Sequence, residues 1–433
     1  MNHLSGSLNP QPLTSRRRLL CLSNGHGEDI IAVRILQELQ QLSHAIEIAA
    51  LPLVGEGRAY AELGIPLIGS VKTMPSGGFI YMDGRQFMRD LRGGLLQLTL
   101  TQLQAIRRWV TQAQAGAVLA VGDIVPLLFA WLSGANYAFV GTAKSEYYVR
   151  DEIGLLQGRS LFTRLEYFSG SVYHPWERWL MSRPRSLAVF PRDSLTTQIL
   201  QKWSIPAFDL GNPMMDRLEL TPVENSNAQT EYLKILLLPG SRTPEAYTNW
   251  EQILVAVTGL IATFSDRELL FLGAITPSLN LEPFCQFLIA AGFQKSLSIQ
   301  PLFTTSNALI FKHNNASMFL TQHAYNDCLH LADIAIAMAG TATEQFVGLG
   351  KPAIIMPGKG PQFTYTFAEA QSRHLGPSVI LVQHPNQVVD IVQSLLNDPE
   401  RLGLIAKNGL KRMGKSGAAQ RIAACLMDHL NLL

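Results

Sequence analysis

The 433 residues are enough for two domains with cores of their own, and a composition of 47% hydrophobic and 16% charged residues excludes a disordered chain. With 35 Lys and Arg against 33 Asp and Glu, the net charge of +2 gives no basis for broad nucleic-acid binding. Cys21, Cys285, Cys328 and Cys425 show no CxxC or other metal spacing and read as reduced thiols of a cytoplasmic protein; no apolar run reaches the ~20 residues of a membrane span, and the polar start gives no signal peptide.

Residues 19–22 predict a first buried strand and residues 30–42 a helix, with Ile31, Ile35, Leu36, Leu39 and Leu42 at helical spacing. The loop between them, Ser23-Asn-Gly-His-Gly-Glu-Asp29, sits where a dinucleotide fingerprint would be but lacks GxGxxG, so no dinucleotide site is expected. It sets His26, Glu28 and Asp29 at a strand end. An imidazole titrates near the working pH, so His26 can take a proton from a substrate hydroxyl. The same residues equally suit a turn at Asn24-Gly25 with Glu28 and Asp29 favouring the helix start. A strand at 46–53, a short helix at 60–64 and a strand at 66–68 follow.

Residues 74–82 read as a loop with bulky apolar groups, Phe79 and Tyr81 among them. Arg85, Arg89 and Arg92 come next, interleaved with Phe87, Met88 and Leu91. That pattern suits a bilayer surface or a lipid phosphate, or an ordinary amphipathic helix. A strand at 117–123 ends in Asp123, either a general base at a strand end or a cap on the helix at 125–133. After a strand at 136–140, Lys144 and Glu146 lie in a polar loop as acceptor or phosphate contacts. A strand at 187–190 and a helix beginning within Pro191-Arg-Asp-Ser-Leu195 complete the first half.

The second half opens with a strand at 233–238 and Pro239-Gly-Ser-Arg-Thr-Pro-Glu245, where Thr243 can cap and Pro244 fits a first helical position. Gly240 lets backbone approach a ligand, and Arg242 can pair with phosphate. Strands are expected at 269–272, 307–313 and 317–321, and a helix at 325–331. Residues 333–338 then form a buried strand that turns at Gly340 into a helix, ended by Gly350 before a strand at 353–356. This βαβ unit presents free amides and a helix dipole at a strand's carboxyl end, where α/β sheets hold ligands and where phosphate is favoured. The alternative is a capping box, with Thr341 as N-cap and Glu344 reaching back to it. Pro357-Gly-Lys-Gly-Pro-Gln362 adds a second polar loop at the same edge, followed by a helix, a strand at 379–382 and closing helices from Pro385.

Gly340-Thr-Ala-Thr-Glu344, Gly350-Lys-Pro, Pro357 and Gln362 together resemble the nucleotide-sugar half of GT-B glycosyltransferases, lipid-A-disaccharide synthase and the lipid II-forming N-acetylglucosaminyltransferase above all. Leu-Pro-Gly-Ser-Arg242 is similar to the former almost letter for letter. The resemblance implies that Glu344 holds the ribose hydroxyls. It implies that the amides of Gly340, Thr341, Ala342 and Thr343, with Ser241 and Arg242, face the diphosphate, and that Gln362 contacts the sugar. It also implies Asp123 as catalytic base, with His26 in the position of a loop histidine of the lipid II-forming enzyme. Gly27-Glu-Asp29 carries only part of the synthase's acceptor motif, and the second aspartate beside Asp123 is missing. Gly211-Asn-Pro213 with Asp216 resembles the interdomain crossover, and residues 79–92 match the region that meets the membrane.

The expected architecture is therefore α/β, a GT-B arrangement of two Rossmann-like domains with parallel sheets facing a central cleft. Its parts are a disordered tail (1–15), an acceptor domain (16–213), a linker (214–230), a nucleotide-sugar domain (231–415) and a terminal helix (416–433) packing back on the first domain. The expected activity is metal-independent and cofactor-free transfer of a sugar from a UDP-sugar, with UDP-GlcNAc or a derivative among the candidates, to a lipid or lipid-linked acceptor. It would take place in the cytoplasm or peripherally on the inner face of the plasma membrane, without nucleic acid. Rival expectations are a UDP-sugar 2-epimerase and a non-catalytic nucleotide-sugar binder.

Overall fold

The structure is a computed structural model that describes residues 17–71, 95–112, 116–156, 169–218, 232–296 and 308–430. The arginine-aromatic segment with Phe79, Tyr81, Arg85, Arg89 and Arg92, the N-terminal tail and most of the expected linker lie outside the described residues.

The first sheet joins β1 (Arg18–Ser23), β2 (Glu47–Pro52), β3 (Gly116–Gly122), β4 (Asn136–Gly141) and β5 (Ser186–Phe190) in the order β2-β1-β3-β4-β5. Every pairing is parallel. Strands covered on both faces read as continuous apolar runs, and side chains alternate between the faces. Leu19 and Cys21 accordingly enter one core, and Leu20 and Leu22 the other. α1 (His26–Leu42) closes the first core with Ile31, Ile35 and Leu39, and α2 (Arg58–Glu62) follows β2. The second core takes Ile106 and Trp109 from α3 (Leu95–Gln112), Leu127 and Ala130 from α4 (Ile124–Ser133), Leu180 and Met181 from α5 (Pro175–Met181), and Leu200 from α6 (Ser194–Gln201).

The second sheet has the order β13-β12-β11-β6-β7-β10-β9-β8. β6 (Leu233–Leu238) leads into α7 (Glu245–Thr263), and β7 (Leu269–Ala274) into α8 (Glu282–Ala290). β8 (Gln294–Lys295) and β9 (Leu309–His313) form an antiparallel edge on β10 (Ala316–Thr321). α9 (Tyr325–Leu331), β11 (Ile334–Ala337), α10 (Thr341–Gly348), β12 (Ala353–Ile355), α11 (Tyr365–Leu375) and β13 (Val379–Leu381) continue the alternation. α12 (Val388–Leu396) and α13 (Pro399–Met413) cover one flank.

The last helix, α14 (Ala418–His429), returns to the first sheet and adds Ala419, Ile422, Ala423 and Leu426 to its first core. The Asp216 carboxylate fixes that return by accepting hydrogen bonds from the amides of Gly417, Ala418 and Ala419 at 2.6, 3.0 and 2.7 Å.

The local departures from the sequence reading have physical causes. α1 starts at His26 rather than Ile30, because Gly25 at φ 130° turns the chain at once and accepts from the Asp29 amide at 2.8 Å. Residues 66–68 make one bridge, Leu67 to Ala50, rather than a strand. Thr341 is not the N-cap of α10. Gly340 holds that position, and among the described residues no side chain caps the helix. Pro244 likewise sits at the N-cap of α7, one residue before the helix begins, and Thr243 does not cap it.

Candidate functional site

The two sheets meet at the carboxyl ends of their parallel strands, where βα loops converge and α/β proteins bind ligands. On the second sheet's side, Ser241 and Arg242 are exposed just beyond β6. Gly240, at φ 97°, is required there because a Cβ would stand 3.1 Å from the Met338 carbonyl at the end of β11. The Arg242 guanidinium donates to the side-chain oxygen of Gln362, so two residues 120 positions apart are brought together. Glu245 braces the same pair of loops by accepting from the amides of Gln362 at 3.2 Å and Phe363 at 2.7 Å.

Beside them, the turn after β11 opens α10. The Thr343 hydroxyl is fully buried and returns to the Ala339 carbonyl at 2.6 Å, so Thr343 can offer a ligand only its amide. Gln371 donates to the Gly340 carbonyl at 3.1 Å and holds the turn from behind. The amides of Thr341, Ala342 and Thr343 have no intrahelical acceptor, as in every first turn, and the helix dipole adds partial positive charge there.

On the first sheet's side, Asp123 caps α4 by accepting from the Val125 amide at 2.9 Å and is 8% exposed. Glu28 closes over the end of β3, with its Cγ 3.4 Å from where a Gly122 Cβ would stand. Its carboxylate accepts from the Thr142 hydroxyl at 3.4 Å. Burial, helped by the charges of Asp123 and Asp29, pushes the Glu28 carboxyl up to about 7. Burial also raises Asp123, although the Val125 amide and Asn24 oppose it.

Two of the expected acceptor residues are buried and engaged in internal hydrogen bonds. Asp29 is 3% exposed and takes the Ser23 hydroxyl at 2.6 Å, which in turn accepts from Tyr60. Glu146 is fully buried, accepting from the Ser171 hydroxyl, from the Val172 amide at 3.0 Å and from Arg150 at 2.7 Å. An isolated charge at such depth would be prohibitive, and Arg150 with the two other donors compensates it, so Glu146 ties these loops together. Lys144 pairs with Glu177 at 2.6 Å. The backbone of His26 opens α1.

The two sides are joined by residues that the sequence reading did not single out. Arg192, 4% exposed at the end of β5, donates through Nη2 to Glu344 at 2.7 Å and through Nη1 to the Thr142 carbonyl at 3.1 Å. Its Nε is buried with no hydrogen-bond partner among the described residues. Burial alone would raise the Glu344 carboxyl, but the Arg192 charge outweighs it and holds Glu344 at about 2. His374 Nδ1 lies 3.5 Å from Glu344, too far for a good hydrogen bond. Burial and the adjacent Arg192 push His374 down, so its ring is neutral, and it stacks on Tyr148 of the first half at 4.6 Å. Arg373 donates to the Tyr148 carbonyl, and Arg412 lies 4.1 Å over the Tyr147 ring.

Glu344 therefore turns away from Thr341, and the capping box that was the alternative reading does not form. An unbroken line runs from Glu28 through Thr142 and Arg192 to Glu344. The usable signal for Arg192 was its place at the carboxyl end of a strand, the rule that marked Asp123. His374 gave none, being a buried ring on an ordinary amphipathic helix. Among the described residues, no three His, Cys, Asp or Glu side chains gather to hold a metal ion, and no helix is long and apolar enough to cross a membrane.

No family model and no curated protein matches the chain. Solved structures do. A putative UDP-N-acetylglucosamine 2-epimerase from Listeria monocytogenes is 14% identical with a TM-score of 0.56, over 96% of this chain and 97% of that one. MurG of Acinetobacter baumannii is 14% identical at 0.54, over 95% and 99%. The calicheamicin glycosyltransferase CalG4 is 12% identical at 0.57, over 97% and 99%. At these identities the likeness establishes the fold, an α/β GT-B architecture of two Rossmann-like units, and leaves the chemistry to the site.

Proposed function

We propose that the chain binds a UDP-sugar where its two sheets meet and transfers the sugar to a hydroxyl of a lipid or lipid-linked acceptor. The observation that carries this reading is the second-sheet cluster: Arg242 and Gln362 joined beside an uncapped α10 whose first turn carries Glu344. The amides of Thr341, Ala342 and Thr343, with Ser241 and Arg242, take the diphosphate. Glu344 takes the ribose and Gln362 the sugar.

In the reaction, the acceptor oxygen attacks the anomeric carbon, the bond from that carbon to the diphosphate oxygen breaks, and the acceptor proton passes to a base. Glu28 suits that role better than Asp123, because its carboxyl titrates near 7 while Asp123 is committed to capping α4. The departing diphosphate is stabilised by preorganised amides and guanidinium, without a metal. Incubation with UDP-GlcNAc and a bacterial lipid extract should release UDP and yield a glycosylated lipid, undiminished by EDTA. UDP binding without any product would sink the catalytic part of the reading.

A second reading is a UDP-sugar 2-epimerase, favoured by the resemblance to structures described as UDP-GlcNAc 2-epimerases. Inversion at C2 balances if the C2 proton leaves as the bond from C1 to the diphosphate breaks, giving a C1–C2 double bond, and returns on the other face as that bond re-forms; Glu28 would serve equally as the base there. Solvent deuterium appearing at C2 without acceptor would select this reading. Deuterium-free transfer to lipid would select the first.

A further inference from the structure

Arg192 is a buried charge that the proposed transfer leaves without a task. It comes from the first sheet, yet its carboxylate partner is Glu344 of the second. A pair so deeply buried adds little net stability, because desolvating both ions offsets their attraction. Losing either partner, however, strands a charge in a low-dielectric site, which is strongly unfavourable. Anything that takes Glu344 must therefore answer for Arg192 as well.

The ribose diol of a nucleotide donates hydrogen bonds to Glu344 but carries no charge. A nucleoside alone would leave the guanidinium without an anion. A nucleoside diphosphate brings the anion with it. Its diphosphate would lie at the start of α10, and Glu344 is about one helical turn from that start, a rise of about 5.4 Å. That span is within the swing of an arginine side chain pivoting at the end of β5. The guanidinium also has an unmet donor, since Nε is buried without a partner among the described residues. A phosphate taken through Nε and one Nη together would satisfy it in the paired geometry that arginine favours.

Building on the nucleotide-sugar reading, we propose that Arg192 is the first sheet's ligand for the diphosphate, held in reserve by Glu344 and handed over when the ribose takes that carboxylate. The exchange keeps both charges paired throughout. It also replaces a direct link between the two sheets by a link that runs through the ligand.

The test is calorimetric titration of UDP and of uridine into wild type, Arg192→Gln and Arg192→Lys, with thermal melting to establish that each variant is folded. Wild type should bind UDP at least a hundredfold tighter than uridine. Arg192→Gln should weaken UDP at least tenfold while leaving uridine unchanged or tighter. Arg192→Lys, which keeps the charge but not the fork, should fall between them and keeps the test open if the glutamine variant does not fold. An equal loss for both ligands would overturn the proposal in favour of a purely structural arginine, an equal gain in favour of a simple latch. Unchanged UDP preference in both variants would overturn it too. Absence of UDP binding by wild type would overturn the underlying site assignment together with this inference.

Discussion

Glu28 and Glu344 are both carboxylates at the meeting edge, and their surroundings drive them in opposite directions. Burial beside Asp123 and Asp29 lifts Glu28 to about 7, whereas the Arg192 charge overrides burial and holds Glu344 at about 2. The sign for Glu28 follows directly. Between its ordinary 4.5 and about 7 the folded chain binds a proton that the unfolded chain has released, so stability falls as pH rises through that window. Glu28→Gln should therefore raise the melting temperature at pH 8 and leave it nearly unchanged at pH 4. It should also abolish the rise of kcat/KM with pH through about 7 expected of a base that must be deprotonated. A pH profile retained in Glu28→Gln would assign the base elsewhere. For Glu344 the sign reverses: the folded chain favours its ionised form over the protonated one, and that protonation-linked advantage is present above 4.5 and is lost as pH falls toward 2.

Elements whose signal is local were legible in the sequence. The run from Ala332 to Pro357 announced β11, α10 and β12 through apolar burial, a glycine turn and a glycine stop, and Leu-Pro-Gly-Ser-Arg242 placed the loop after β6. Signals that depend on distant partners were not legible. Thr341-Ala-Thr-Glu344 has the letters of a capping box, but the tertiary pull of Arg192 on Glu344 wins over the local bond. Glu146 looks like a polar loop residue until Ser171, Val172 and Arg150 close around it. At Asp216 one side chain serves a helix two hundred residues away, with three amides of α14 resting on it. Asp216→Ala should cost about 1–2 kcal/mol, the scale of a lost helix cap. Because α14 seals the first core, that loss should appear as a lower melting temperature with UDP affinity unchanged. An unaltered melting curve would show that α14 does not depend on this cap.

At the scale of the whole molecule, two sheets with separate cores are joined by charges and rings near the place where ligand is expected. Arg192 with Glu344, Tyr148 with His374 and Arg412 with Tyr147 span the junction. The two α/β layers could be read from alternating apolar runs, because each such run is dictated by its own sequence. The junction could not, since every contact there pairs residues from different halves of the chain. A ligand that bridges the halves should stabilise them as one unit: UDP at a hundred times its dissociation constant should contribute about 2.7 kcal/mol. That would raise and sharpen the melting transition of wild type.

The measurement that bears most directly on the account is the affinity of UDP for wild type, Glu344→Gln and Asp123→Asn, read by calorimetry. A carboxylate that holds two ribose hydroxyls supplies charge-assisted hydrogen bonds worth about 1.5–3 kcal/mol each, so Glu344→Gln should weaken UDP by at least tenfold. Asp123→Asn, on the opposite side of the junction, should leave it within about threefold, a difference of less than about 1 kcal/mol. Equal affinity in wild type and Glu344→Gln would contradict the placement of the nucleotide at the start of α10.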